Sequence, residues 1–268
     1  MNTEAITGRR YGAPWGPIPA VLLVGGMGTR LQSVLPSTPK PLAPVGELPF
    51  LELLVLQLRS QGIRYLVMCT GYRAEQVEQE FGDGKKWSVT IEYSRETRPL
   101  GTAGALKLAE PFLRSATDFL VMNGDSFLEF DYPELLRFHQ QHGGVASIAV
   151  RGVPDASRYG AVQFDAHHRV TGFCEKKISR SPGMVNGGVY LFRRNVLEYL
   201  PNGPASLEKD VFPRLLDHGV YAAEQEGIFI DIGTPDDYAR AQSLHQSLWE
   251  AALSDRSCGV PERHSERR

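Results

Sequence analysis

Cysteine is scarce in this chain of 268 residues, and the few cysteines that it has do not cluster. The three cysteines, Cys69, Cys174 and Cys258, are odd in number and far apart. There is no Cys-x-x-Cys pair, and the histidines share no metal-type spacing with cysteines or carboxylates. We therefore predict neither a disulfide framework nor a structural zinc site. Isolated cysteines fit a reducing cytoplasm best, and the protein is expected there.

An excess of charge of one sign is also lacking, as are long apolar runs. The 29 basic and 31 acidic residues leave a formal net charge of −2. This balance does not favour binding to nucleic acid or to a membrane surface. No run approaches the roughly eighteen apolar residues needed to span a bilayer, and the N-terminus MNTEAITGRRYGAPWGPIP lacks a continuous apolar region. We expect neither export nor membrane insertion, so any anionic ligand must be bound locally.

The first 150 residues alternate between apolar strands and amphipathic helices. IPAVLLVGG is a continuous apolar run that ends in glycines, which is typical of a parallel strand buried on both faces. PFLELLVLQLRSQGI then has helical spacing and stops at Gly62. The alternation predicts an α/β fold with a Rossmann-like open sheet, mixed but mostly parallel and flanked by helices. Ligands bind such sheets at the carboxyl ends of the strands.

From residue 153 to 232 the pattern changes to short β segments, with one predicted helix around SLEKDVFPRLLDHG. We predict a single domain over residues 18–253, with a small β-rich elaboration at 151–233 and a last helix at 234–253. Residues 1–17 and 254–268 are expected to form irregular tails. The sequence contains no internal repeat, so a second domain built from repeats is not predicted.

The loop VGGMGTRLQSVLPSTPKPLAPVG, which begins at Val24, is rich in glycine but matches neither common phosphate-binding fingerprint. Leu31 stands where a dinucleotide fingerprint needs its third glycine, and no Gly-Lys-Ser/Thr follows for a P-loop. The loop offers Arg30 and, ten residues later, Lys40 between two prolines that restrict its backbone. Glycine amides, one guanidinium and one positioned ammonium predict a cradle for a triphosphate. The alternative is an ordinary strand-to-helix turn with solvated charges.

Five motifs, taken together and in order, resemble those of the sugar-phosphate nucleotidyltransferases. They are GGMGTRL…PKPLAPV, ETRPLGTAGAL, NGDS, CEK and NGGVYLF, and they extend from Val21 to about Gly233. Within that family, VGG with PFLELLVLQLRSQGI and YSRETRPLGTAGAL is similar to the D-glycero-α-D-manno-heptose 1-phosphate guanylyltransferases. The motifs are nearly as similar to those of the mannose-1-phosphate guanylyltransferases. The resemblance implies a glycosyltransferase-A-like fold, with a nucleotide-binding half at 18–150 and a sugar-binding half at 151–233.

The resemblance also implies a reaction in which an NTP, with GTP favoured, reacts with a sugar 1-phosphate to give an NDP-sugar and pyrophosphate. Such a reaction needs no strong general base, because a phosphate monoester is already largely dianionic at pH 7. Repulsion between two anions is the main obstacle, so catalysis requires positioning and charge neutralisation. We expect Arg30 to bind the β,γ-phosphates and Lys40 the α-phosphate. The candidate nucleotide-binding residues are Leu23, Gly25, Gly26, Gly28, Thr29, Arg30, Lys40, Glu96, Gly101, Thr102 and Gly124.

Two aspartates are implied as ligands of Mg²⁺ or Mn²⁺. Asp125 ends VMNGD at a strand end and Asp231 lies in FIDIGT, and Mg²⁺ commonly takes one or two carboxylates with phosphate oxygens. The structural alternatives are a turn residue for Asp125 and a helix cap for Asp231. Lys176 in CEKK resembles the family lysine that binds the sugar phosphate. The expected catalytic residues are Arg30, Lys40, Asp125 and Lys176, and the expected sugar-pocket residues are Gly160, Glu175, Lys176 and Asn186.

Guanine is the predicted base because of Glu96, which follows strand VTIEYS at the position where family members place the side chain that faces the base. Guanine presents two donors side by side, and an acceptor-only carboxylate can receive both. A glucose-1-phosphate thymidylyl- or uridylyltransferase remains an alternative, because uracil and thymine offer one donor between two carbonyls.

Two further interpretations belong to other functional classes. A catalytically silent regulatory subunit would keep the fold and bind nucleotide sugars, but Arg30, Lys40 and Asp125 are all present. An NAD(P)-dependent oxidoreductase would share the α/β pattern, but the third glycine of its fingerprint is missing. The sequence leaves open the stereochemistry of the sugar, the glycan pathway, such as capsule or lipopolysaccharide, and whether the protein forms a homo-oligomer.

Overall fold

The computed structural model describes residues 18–174 and 181–254 of the chain. Within these residues, a nine-stranded mixed sheet carries helices on both faces, and two small two-stranded sheets lie beside it. The strands are β1 (Pro19–Leu23), β2 (Pro44–Val45), β3 (Leu48–Pro49), β4 (Tyr65–Thr70), β5 (Thr90–Arg95), β6 (Asp118–Asn123), β7 (Ser126–Leu128), β8 (Ala146–Val153), β9 (Ala161–Phe164), β10 (Val170–Cys174), β11 (Gly183–Arg193), β12 (Val220–Glu224) and β13 (Phe229–Asp231). The helices are α1 (Phe50–Ser60), α2 (Ala74–Phe81), α3 (Gly101–Leu108), α4 (Tyr132–His142), α5 (Phe212–Leu215), α6 (Pro235–Ser243) and α7 (His245–Leu253).

Strand β1 lies inside the parallel part of the sheet, with β4 on one side and β6 on the other. β5 extends this part beyond β4, also in parallel. Ala20 and Leu22 pack in one hydrophobic cluster and Val21 packs in the other. Both faces of β1 are therefore covered, which explains its unbroken apolar sequence. The predicted open, mixed sheet flanked by helices is confirmed.

The second half of the chain extends the same sheet. β11 pairs antiparallel with β6 on one side and with β8 on the other. β12 runs parallel to β8, whereas β9 and β10 form an antiparallel pair attached at β11. The sequence did not predict β12, because VYAAE shows no apolar alternation. This strand is determined by the edge of β8, whose backbone hydrogen bonds it completes.

The last helix was predicted as one continuous segment, and this prediction is wrong at one point. The structure has two helices, α6 and α7, separated at Leu244, whose amide turns back to the carbonyls of Arg240 and Ala241. α6 packs against β13, whereas α7 packs against α1. The chain changes direction at Leu244 because the two helices cover different neighbours.

The helix predicted around SLEKDVFPRLLDHG is also irregular. It consists of a π-type turn at Leu207–Val211, the short α5 and a 3-10 turn at Leu216–His218. Pro213 lies at the start of α5, where its ring and missing N–H prevent a regular continuation from the preceding turn. In the described part of the chain, no helix combines the length and apolarity needed to cross a membrane.

Candidate active site

A cavity of about 670 Å³ opens where β1, β5 and β6 end, which is the edge of the sheet where open α/β folds bind ligands. Both aspartates implied as metal ligands, Asp125 and Asp231, line it. Every nucleotide-binding residue predicted from the sequence lines it too: Leu23, Gly25, Gly26, Gly28, Thr29, Arg30, Lys40, Glu96, Gly101, Thr102 and Gly124. The tertiary structure thus brings together residues that are up to about two hundred positions apart in the chain.

The glycine-rich loop needs Gly28 for two reasons. Its φ is +58°, in the left-handed region that glycine adopts without a steric penalty. A Cβ at this position would also lie 2.9 Å from the Cβ of Lys40. The loop can therefore turn tightly over the lysine only because this side chain is absent. Arg30 lies two residues later and lines the cavity.

Lys40 begins a 3-10 turn. The residue before it, Pro39, has extended backbone with a ψ of 142°. The side chain is only 11% exposed, and its ammonium lies 2.7 Å from Asp125 Oδ2 and 3.9 Å from Asp231 Oδ1. One cation thus sits between two carboxylates at the floor of the cavity. The predicted proline-restricted lysine is held in place by charge as well as by its backbone.

Asp125 lies in the turn before β7, and Asp231 is the last residue of β13. β7 begins directly after Asp125 and pairs antiparallel with β13, with Asp231 opposite Ser126. The amide of Ile232 donates to the carbonyl of Asp125 at 3.0 Å. Burial, and then the charge of Asp125, raise the pKa of Asp231 to about 6, while Lys40 opposes this shift. The two side chains are close enough to repel each other.

These carboxylates fit a hard divalent cation. They are acceptor-only oxygen ligands that repel each other, and a cation with two charges would relieve that repulsion better than one lysine does. Among the described residues there is no cluster of three or more His, Cys, Asp or Glu that could hold a metal. The protein therefore offers two ligands, and the remaining ones would have to be water or phosphate oxygens, as is usual for Mg²⁺.

Glu96 follows β5 and points into the cavity wall. Its Oε2 accepts a hydrogen bond from the amide of Leu100 at 3.0 Å. Desolvation raises the pKa of Glu96, and the Leu100 amide opposes this shift. A Cβ on Gly25 would lie 2.6 Å from Glu96 Oε1, and one on Gly71 would overlap the same atom. Glycine at both positions is therefore what allows the carboxylate to lie against the ends of β1 and β4.

Arg158 lines the cavity and was not singled out from the sequence. Its Nη2 donates to Asp237 Oδ2 at 2.6 Å and to Thr234 Oγ1 at 3.2 Å. Thr234 is the N-cap of α6: its Oγ1 accepts from the amide of Asp237, and its hydroxyl donates to Asp237 Oδ2 at 2.7 Å. The Thr-x-x-Asp spacing could have shown the cap, but nothing in the sequence indicated that a distant arginine would join it. Tyr159 and Asn123 line the cavity and were missed likewise.

The predicted sugar residues are only partly accounted for. Glu175 and Lys176 lie outside the described residues. Gly160 is exposed and, like Asn186, is not among the residues that line the cavity. The side chain of Asn186 is used within the fold, because its Nδ2 donates to the Tyr190 hydroxyl at 2.8 Å and its Oδ1 accepts from the amide of Gly188 at 2.9 Å. The sugar pocket therefore stays a prediction.

Comparisons with known proteins identify a family for this chain. The family model described as nucleotidyl transferase matches residues 19–247. Over 231 residues the chain is 38% identical to the mannose-1-phosphate guanylyltransferase catalytic subunit beta of Drosophila melanogaster, covering 85% of this chain and 63% of that protein. Over 230 residues it is 37% identical to the mannose-1-phosphate guanylyltransferase of Mycobacterium tuberculosis, covering 84% and 64%. The chain thus spans a little under two thirds of the length of these relatives.

A solved structure is similar over almost its whole length. HddC from Yersinia pseudotuberculosis, in a crystal structure complexed with GMP-PN, has a TM-score of 0.76 to this chain at 31% identity. The match covers 84% of this chain and 98% of that one. The arrangement of the sheet and the helices therefore also occurs in that chain.

Proposed function

Because the chain belongs to the nucleotidyl transferase family, we propose that it transfers GMP from GTP to a sugar 1-phosphate, giving a GDP-sugar and pyrophosphate. The observation that carries this proposal is the position of Lys40 between Asp125 and Asp231, at the floor of a cavity lined by the glycine-rich loop. Guanylyltransferase is the activity named for the relatives from Drosophila melanogaster and Mycobacterium tuberculosis.

In the proposed reaction an oxygen of the sugar 1-phosphate attacks the α-phosphorus of GTP, and the bond from that phosphorus to the β-phosphate oxygen breaks. Negative charge grows on the α-phosphate oxygens and on the departing pyrophosphate. Lys40 is proposed to neutralise the α-phosphate and Arg30 the β,γ-phosphates. The amides of the glycine-rich loop would bind phosphate oxygens without a side chain in the way. Lys176, outside the described residues, is proposed to bind the sugar phosphate.

Asp125 and Asp231 would hold Mg²⁺ or Mn²⁺. When bound, such an ion supplies charge neutralisation for phosphate oxygens. The contact between Lys40 and both carboxylates means that this lysine is aligned by the same residues. Loss of either aspartate would therefore also move or release the ammonium.

The sugar is proposed to have the manno configuration. The residues of the motifs are similar to those of heptose 1-phosphate guanylyltransferases, so we favour D-glycero-α-D-manno-heptose 1-phosphate. The names of the relatives support mannose 1-phosphate as the alternative. The two sugars differ by one CH(OH) unit of the heptose, so discrimination depends on whether the pocket hydrogen-bonds the additional hydroxyl. Measured selectivity must therefore decide between them.

A substrate matrix tests the proposed function. GTP, UTP, dTTP, CTP and ATP are each combined with mannose 1-phosphate, D-glycero-α-D-manno-heptose 1-phosphate and glucose 1-phosphate, and pyrophosphate release is measured. We expect GTP with a manno-configured sugar to give the highest kcat/KM. Preference for dTTP or UTP with glucose 1-phosphate would assign the protein to the thymidylyl- or uridylyltransferases. No release with any pair would favour the silent regulatory subunit.

Base selectivity is expected to depend on Glu96. In wild type, kcat/KM for GTP should exceed that for UTP and dTTP by at least about tenfold, and Glu96→Gln should lose most of this lead. The reason is that the glutamine amide places a donor where guanine also presents donors, which leaves a desolvated pair unmatched. The measurement is kcat/KM for each NTP at saturating sugar 1-phosphate.

Gly71→Ala is expected to displace the Glu96 carboxylate without changing its charge. The added methyl group would overlap Glu96 Oε1, and the flexible side chain must move aside. We expect the GTP preference to fall while the melting temperature stays near that of wild type. Gly152→Ala is the matched control, since a Cβ there would meet only Met184 Sδ, at 3.4 Å. An unchanged GTP preference in both Glu96→Gln and Gly71→Ala would contradict the base-reading role.

A further inference from the structure

The turn that joins β4 to α2 holds the glycine-rich loop at two places. The amide of Tyr72 donates to the carbonyl of Gly25 at 3.1 Å, where the loop leaves β1. Further along the loop, Nη1 of Arg73 donates to the carbonyl of Ser37. Residues 26–36, which include the predicted phosphate-binding part of the loop, therefore lie between two points that one turn holds in place.

The guanidinium of Arg73 is aligned by the residue before it. Its Nε donates to the Tyr72 hydroxyl at 3.0 Å, and its central carbon lies 5.4 Å from the centre of the Tyr72 ring. The backbone of Arg73 has a φ of +54°, in the left-handed region that is unfavourable for residues with a side chain. Glycine would suit this backbone better. The unfavourable conformation thus indicates a role for the arginine side chain.

The contact at Ser37 is transmitted to Lys40 through a stiff segment. Pro36 and Pro39 lie on either side of Ser37 and Thr38, and each proline fixes its own φ. A proline also restricts the residue before it to extended conformations, so Thr38 has little freedom. Lys40 starts its 3-10 turn directly after Pro39. Fixing the Ser37 carbonyl therefore limits where the backbone of Lys40 can lie.

Resting on the proposed function, we infer that Arg73 is a positioning residue that holds the glycine-rich loop, and through it Lys40, in the arrangement that binds the triphosphate of GTP. Arg73 acts through the loop, because it is not among the residues that line the cavity. Without its contact to Ser37 the loop would be less ordered before GTP binds. Binding would then have to order the loop, and affinity for GTP would fall.

The test compares Arg73→Ala with wild type in steady-state pyrophosphate release. We expect KM for GTP to rise by about fivefold or more, on the scale of one hydrogen bond from a charged donor. KM for the sugar 1-phosphate and kcat should change by less than about twofold, because bound GTP restores the order of the loop. The dissociation constant of GTP, measured without the sugar 1-phosphate, should rise by the same factor as its KM.

Two further variants separate positioning from stability. Arg73→Gly removes the same guanidinium but relieves the left-handed backbone, so its melting temperature should be at least that of Arg73→Ala. A positioning role predicts the same rise in KM for GTP in both variants, whereas a purely structural role predicts a rise that follows melting temperature. Arg73→Lys keeps one charged donor and should recover part of the affinity for GTP.

Ser37→Ala is the control for the contact, because Arg73 binds the carbonyl of Ser37 and not its side chain. Arg114→Ala, at an exposed arginine, is the control for the lost charge. Both should keep wild-type KM for GTP. Wild-type affinity for GTP in folded Arg73→Ala and Arg73→Gly would overturn the inference, as would an equal rise in KM for both substrates. An inactive wild type would instead contradict the proposed function, while the dissociation constants of GTP would still test Arg73.

Discussion

Asp125→Asn is expected to abolish measurable pyrophosphate release while the protein stays folded. The asparagine amide keeps the shape of the side chain but removes one negative charge from a site where Asp125 and Asp231 share Lys40. Its NH₂ group can also face the ammonium that now lies 2.7 Å from Asp125 Oδ2, replacing an ion pair with donor against donor. Both the alignment of Lys40 and the proposed binding of a divalent ion would be lost.

Three measurements accompany this variant. Asp217→Asn makes the same change at an exposed aspartate and should leave kcat/KM unaltered. Asp231→Asn should retain weak activity and need a higher concentration of Mg²⁺ or Mn²⁺, because one carboxylate remains. Wild type in EDTA should be inactive and recover when Mg²⁺ is added in excess. Full wild-type activity in EDTA would show that the two aspartates do not serve a metal.

Lys40→Met is expected to lower kcat/KM by about 10²-fold or more, which is the loss seen when one pre-placed donor is removed from developing charge. Methionine keeps much of the buried stem of a side chain that is only 11% exposed, so the change isolates the ammonium. Arg30→Ala should have an effect of similar size. The measurements are steady-state kcat/KM, far-UV circular dichroism and melting temperature.

The matched control is Lys85→Met, at a lysine whose side chain is 88% exposed and paired with the surface residue Asp83. Its effect should be negligible, because exposed ion pairs contribute little. Lys40→Arg should remain strongly impaired, since a planar guanidinium cannot occupy the position of a compact ammonium between two carboxylates. Near-wild-type turnover of folded Lys40→Met would show that Lys40 does not bind the triphosphate.

The fold class could be predicted because its signals are local. The apolar run of β1 and the helical spacing of apolar residues in α1 each indicate burial from residues that are close in the sequence. The glycines at strand ends indicate turns in the same way. The break at Leu244 and the strand β12 have no such local signal, because each depends on the surface that the chain meets there. Local sequence patterns therefore predicted the order of the helices and strands better than the residues at which they begin and end.

The candidate site divides in the same way. The sequence by itself determined the chemistry of the cavity: Lys40 held by prolines, Gly28 beside it and the aspartates at strand ends are visible as residue types at short spacing. Only the tertiary structure decided how these groups meet. It placed Asp231 within reach of Lys40 and tied Arg158 to the cap of α6. Hydrogen bonds and ion pairs act over about 3 to 4 Å in space, whatever the separation along the chain. Such contacts follow from strand order and register, which the spacing of residues in one sequence does not contain.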